Sequence, residues 1–155
     1  MDARYVHTQR APLCLFVYGA ALLFFVGAFC TRELEIYPFA FMGVGGLMAL
    51  LALAFHHLTV RDEGDRLAIR FGPLPLFATS LRYADIESVE VGRTLLLDGW
   101  GIHLSVRGGW VWNLWGRACV VVRKKNGGIL RIGTDEPANL ERFLKERISG
   151  APTPS

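Results

Sequence analysis

The chain has 155 residues, is 52% hydrophobic and carries a formal net charge of +3, which leaves room for one ordinary domain or for a membrane anchor with a small domain attached. So small a basic excess gives no argument for nucleic-acid binding, which usually shows a clustered cationic face. The three cysteines, Cys14, Cys30 and Cys119, are odd in number and lack metal-ligand spacing, which argues against a disulfide framework or a zinc site and leaves each as a small buried hydrophobe.

Charge is unevenly spread: between Ala11 and Val60 only Arg32, Glu33 and Glu35 are charged. The uncharged run from Ala11 to Cys30 is long enough, at about 1.5 Å per helical residue, to cover a hydrocarbon core of roughly 30 Å. A second apolar run over 36–56 follows almost at once, which argues against a cleaved signal peptide. The link from Thr31 to Glu35 is too short and polar for anything but an antiparallel hairpin, with Tyr37 and Pro38 at the start of the second helix. Gly45 and Ala49 have the small-xxx-small spacing, which either closes the hairpin or drives self-association. Arg4 and Arg10 precede the first span and Arg61, Arg66 and Arg70 follow the second, so the positive-inside rule predicts a multi-pass protein of the inner membrane with both termini cytoplasmic. His56 and His57 read as interfacial polar caps, because adjacent helical side chains diverge too far to share a ligand.

After residue 57 the period becomes alternating. Leu67, Ile69 and Phe71 share one face of a strand whose other face carries Arg66, Ala68 and Arg70, and Asp62 to Asp65 supply the turn before it. Gly72-Pro73-Leu74-Pro75 interrupts the ladder before a strand over 76–81. Arg82 to Val91 reads as a corner leading into a strand; Ile102, Leu104 and Val106 alternate in the next. Cys119 to Val122 suits a central strand, and Lys125-Asn126-Gly127-Gly128 turns it into Ile129 to Ile132. Thr134-Asp135-Glu136-Pro137 has the chemistry of a helix start, and Leu140, Phe143, Leu144 and Ile148 form one apolar stripe. The expectation is α+β: a transmembrane hairpin over 1–57, about seven antiparallel strands and one C-terminal helix over 58–149, and a disordered tail over 150–155.

About seven strands, a terminal helix and a preceding membrane hairpin, together with Tyr83-Ala84-Asp85-Ile86-Glu87-Ser88-Val89, resemble the bacterial pleckstrin-homology-like (PH-like) membrane proteins and their Y-x-x-I-x-x-V corner. The resemblance implies a partial β-barrel of two nearly orthogonal sheets with the helix plugging one end. It implies little about activity, since such folds host lipid, peptide and protein binding.

No nucleophile-base pair, carboxylate dyad, metal cluster or phosphate loop stands out, so the expectation is a noncatalytic protein with no cofactor, no metal and no small-molecule substrate. Gly99-Trp100-Gly101 and Gly108-Gly109 read as turns, and His103 as a polar-face strand residue; an enzymatic reading would require His103, Asp98 and Cys119 to converge. The unusual feature is that all four tryptophans fall between Trp100 and Trp115. Trp110 and Trp112 project from one strand face with Val111 on the other, and core packing and interfacial docking both suit them. Arg107 and Arg117, with Arg93, Arg123, Lys124 and Lys125, could rim those aromatics near anionic lipid. The candidate binding residues are therefore Trp100, Trp110, Trp112, Trp115, Arg107 and Arg117. The predicted partners are membrane lipids and a membrane protein or a second copy, engaged through the tryptophans or by strand addition to a sheet edge. The alternative is an accessory subunit of a transporter or envelope complex recognised through its hairpin.

Overall fold

The computed structural model describes residues 5–74, 76–95 and 100–150. A short strand, β1 (Val6–Arg10), precedes two helices, α1 (Leu13–Cys30) and α2 (Tyr37–Ala54). Then come β2 (His57–Asp62), β3 (Arg66–Phe71), β4 (Phe77–Arg82), a single 3-10 turn over Tyr83–Asp85, β5 (Ile86–Arg93), β6 (Gly101–Leu104), β7 (Trp110–Asn113), β8 (Ala118–Lys124), β9 (Ile129–Gly133) and α3 (Pro137–Ser149). The strands form a four-stranded sheet in the order β1-β2-β3-β4 and a five-stranded sheet in the order β5-β8-β9-β7-β6.

α1 and α2 pack side by side because small residues line their seam. Ala21, Ala28 and Ala52 are buried there, and a Cβ on Gly45 would lie 3.1 Å from the Phe25 ring, so Gly45 serves contact within the hairpin. The outward faces are apolar, with Phe16, Leu23, Phe39 and Leu47 among the exposed residues. α2 is long and apolar enough to cross a membrane, and Cys14–Cys30 is a shorter apolar helix. Three expectations are corrected here. α2 stops at Ala54, leaving His56 in the turn and His57 in β2. Burial, with His56 and Arg10 beside it, holds the His57 imidazole below its usual pKa. Cys30 is exposed on α1, whereas Cys14 and Cys119 are buried.

β1 was not expected. It pairs antiparallel with β2, from Val6 opposite Arg61 to Arg10 opposite His57, so the hairpin grows out of two adjacent, hydrogen-bonded strands. Residues 6–10, grouped by sequence with the helices, belong to the sheet. Their partner lies about fifty positions away, beyond any local pattern. Tyr5 stacks on Phe143 of α3 at 5.0 Å, and burial, reinforced by Glu136 and Asp135, pushes its hydroxyl up to about 12. His7 reaches Asp135 at 2.5 Å.

Among the described residues the strands number nine rather than about seven, and they are not all antiparallel, since β7 runs parallel to β9 from Trp110 opposite Leu130 to Trp112 opposite Ile132. β6 and β7 form a hairpin whose second strand docks on β9 instead of on β8, the next strand in the chain. The Tyr83/Ile86/Val89 corner has a geometric basis. A register irregularity between Ile86 and Ser88 lets residues three apart face the same way, which a regular strand forbids. All three side chains join the central core with Leu58, Ile69, Phe71, Val120, Ile132, Leu140 and Leu144. The apolar stripe of α3 thus packs as expected. Its start follows in part: Pro137 opens the helix as expected, but Thr134 accepts the Glu136 N–H at 3.1 Å from two residues before the N-cap, and the first turn carries no acid.

Candidate functional site: a groove at the seam of the two sheets

Asp62 fixes the geometry of this half of the domain. The turn-like sequence Asp62-Glu63-Gly64-Asp65 hides a side chain with no exposed surface. Its Oδ1 accepts the Tyr83 hydroxyl at 2.7 Å and the Gly64 N–H at 2.9 Å, while its Oδ2 takes the Arg147 guanidinium at 2.6 Å. Burial alone would raise its pKa, but those hydrogen bonds and the Arg147 charge hold it below the usual carboxylate range. Burial and the same carboxylate push the Tyr83 hydroxyl well up. The β2 end, the corner after β4 and α3 are thereby locked together.

β4 is an edge. It pairs with β3 over its whole length, and among the described residues no strand lies on its other side. Beside that edge a groove of about 350 Å³ runs between the sheets, lined by Leu76, Phe77, Ala78 and Thr79 on one wall and by Ile102, Trp110, Trp112, Lys124, Ile129 and Leu130 on the other. Lys124 also lines a second recess of about 370 Å³, formed with Ser80, Leu81, Arg82, Asp85, Lys125 and Asn126. The two make one amphipathic trough, apolar at the Phe77 end and cationic at the Arg82 end. The apolar end abuts the hairpin: Phe77 stacks on Phe55 at 5.4 Å, one residue past α2.

The four tryptophans divide between core and groove. Trp112 lies against Phe71 with ring centroids 5.7 Å apart and packs on the core while lining the groove. Trp110 is 51% exposed at the groove mouth. Trp115 packs on the core, its carbonyl accepting Gln9 Nε2 at 3.1 Å, and Trp100 stacks on it at 4.5 Å. Arg107 lies in the β6–β7 turn and Arg117 after β7, where its Nε donates to the Thr94 carbonyl at 3.4 Å. The two arginines flank opposite ends of β7 and line neither recess. Arg123 pairs with Glu90 at 3.3 Å, whereas Lys124 and Lys125 reach the trough.

Sequence reasoning missed Arg82, Phe77 and Leu76. The available signal was the apolar Leu74-Pro75-Leu76-Phe77 run in a turn, of which Pro75 lies outside the described residues. Of the enzymatic trio, Asp98 lies outside the described residues, and His103 on β6 and Cys119 on β8 do not meet, being separated by β9 and β7, about 14 Å at ordinary strand spacing. Among the described residues no group of three or more His, Cys, Asp or Glu is placed to hold a metal ion. No family model matches the chain, and no curated protein matches it either.

Proposed function

We propose that the protein is a noncatalytic, PH-like binding module anchored by a two-span hairpin in the inner membrane, with both termini and the β domain in the cytoplasm. The observation that carries this reading is the junction of hairpin and sheet. Only Ala11 and Pro12 separate β1 from α1, and only Phe55 and His56 separate α2 from β2. Such short links hold the domain against the bilayer surface, which keeps its aromatic groove at the level of lipid headgroups and of neighbouring membrane proteins. The outward apolar faces of both helices need lipid or another apolar cover, and each spans about 27 Å at the helical rise.

Reporter fusions in a bacterial host test the anchor. Alkaline phosphatase inserted after Glu33 at the hairpin tip is expected to be active, and the same enzyme fused at the C-terminus inactive, with the chain resistant to alkaline carbonate extraction. Carbonate release, or an inactive tip fusion of normal abundance, would remove the two-span reading. A second reading, an accessory subunit recognised through the hairpin, draws on Gly43 and Gly46, beside which a Cβ would meet no atom within 4 Å. Under it, exchanging the hairpin for an unrelated one abolishes co-purification of partners; retained co-purification assigns recognition to the β domain.

A further inference from the structure

We infer that the outer edge of β4 takes up an extended acidic segment of a second membrane protein as an added strand; this rests on the reading of the chain as a membrane-anchored binding module and names its ligand. Two observations favour such a peptide over a lipid. The six residues of β4 bond to β3 on one side, and among the described residues no strand meets the backbone groups on the other. Alternating N–H and C=O groups at a sheet edge are satisfied by another extended backbone, which a lipid lacks. The trough beside the edge then supplies side-chain pockets over Trp110 and Trp112.

Charge selects the peptide. Arg82, Lys124 and Lys125 line the far recess with a single carboxylate, Asp85. Among the described residues none of the three cations has an ion-pair partner, whereas neighbouring Arg66, Arg70 and Arg123 do. An acidic ligand would complete the site.

Polarity along the trough selects the source. Phe77 stacks on Phe55 beside the end of α2, and Arg82 lies five residues further, about 17 Å along an extended strand. A segment flanking a partner's span has this order, with apolar residues next to the bilayer and acids beyond. An N-terminal flank, running towards the membrane, would pair antiparallel to β4 as β3 does.

The test uses the full chain in phosphatidylcholine nanodiscs and a fluorescein-labelled peptide of alternating glutamate and valine ending in leucine and phenylalanine, read by anisotropy. Saturable binding is expected. The double variant Arg82→Glu, Lys125→Glu, both at exposed positions, should weaken it at least about tenfold, and Trp110→Ala about fivefold. Two adjacent central prolines in the peptide should abolish binding in either register, and lysine in place of glutamate should do the same. If the Arg82, Lys125 variant fails to fold, the proline and lysine peptides decide alone on the wild-type chain. Equal binding of proline and parent peptides overturns strand addition. No peptide binding, with a charge-dependent gain in affinity for phosphatidylglycerol vesicles, assigns the recess to lipid and overturns the proposal. The reporter fusions are independent of any peptide, so a failed anchor and a failed ligand give different results.

Discussion

Replacing Asp62 with alanine is expected to cost about 3 kcal/mol of stability, because it leaves the Tyr83 hydroxyl and the Arg147 guanidinium without their buried carboxylate. Asp62→Asn should cost less, since an amide oxygen still accepts from Tyr83 and Gly64 and only the carboxylate charge facing Arg147 is lost. The pH dependence has a definite sign. The folded carboxyl titrates below its ordinary value, so between the two values the unfolded chain binds more protons. The contribution of Asp62 is therefore complete above the ordinary carboxylate range and is lost as pH falls through the depressed folded value. Denaturation of the detergent-solubilised chain, followed by near-ultraviolet circular dichroism of the tryptophans, reads both effects. If Asp62→Asn and wild type lose stability in parallel on acidification, another carboxylate dominates.

The second large effect is expected at Gly72. Its φ of +64° already disfavours other residues, and a Cβ there would lie 2.5 Å from the carbonyl oxygens of Leu53 and Ala54. Those oxygens belong to helix backbone and cannot step aside. Gly72→Val should cost about 3 kcal/mol, combining left-handed strain with displacement of the β3–β4 turn from the end of α2. Gly64→Val is the control. It has a φ of +94° but open space around the position, so it carries the strain alone, about 1 kcal/mol. Limited proteolysis between β3 and β4 should accelerate in the Gly72 variant and not in the Gly64 variant. Equal behaviour of the two would mean that the turn is not braced by the helix.

The same contact orients the trough. Phe55, Phe71 and Phe77 form an aromatic column at the foot of the hairpin, with ring centroids 5.2 and 5.4 Å apart. Trp112 continues it from the other sheet. The apolar end of the groove is thus bolted to the helices, and the cationic end points away along β4. A partner segment would meet the two ends in the order set by its distance from its own span.

Much of the architecture is written in local pattern. The two long uncharged runs, the shift to period two after residue 57, the Lys125 to Gly128 turn and the stripe Leu140, Phe143, Leu144 and Ile148 each depend on residues near in sequence. Such signals survive without knowledge of the fold. Trp110 and Trp112 likewise fall on one strand face by alternation alone. What the pattern lacked was any sign of which face is core and which is groove, and the structure shows Trp112 in both.

Composition and periodicity by themselves determined an α+β chain with two apolar helices, a strand-rich middle and one amphipathic terminal helix, because burying a stripe or a face requires apolar residues at fixed spacing. Only the tertiary structure decided the rest. β1 exists because a strand after the hairpin offers it a ladder. Asp62 is a buried hub as well as a turn residue because Tyr83 and Arg147 arrive from twenty-one and eighty-five positions away. The trough exists because β4 is left as an edge against a second sheet. Each depends on contacts between residues distant in sequence, which local spacing does not encode.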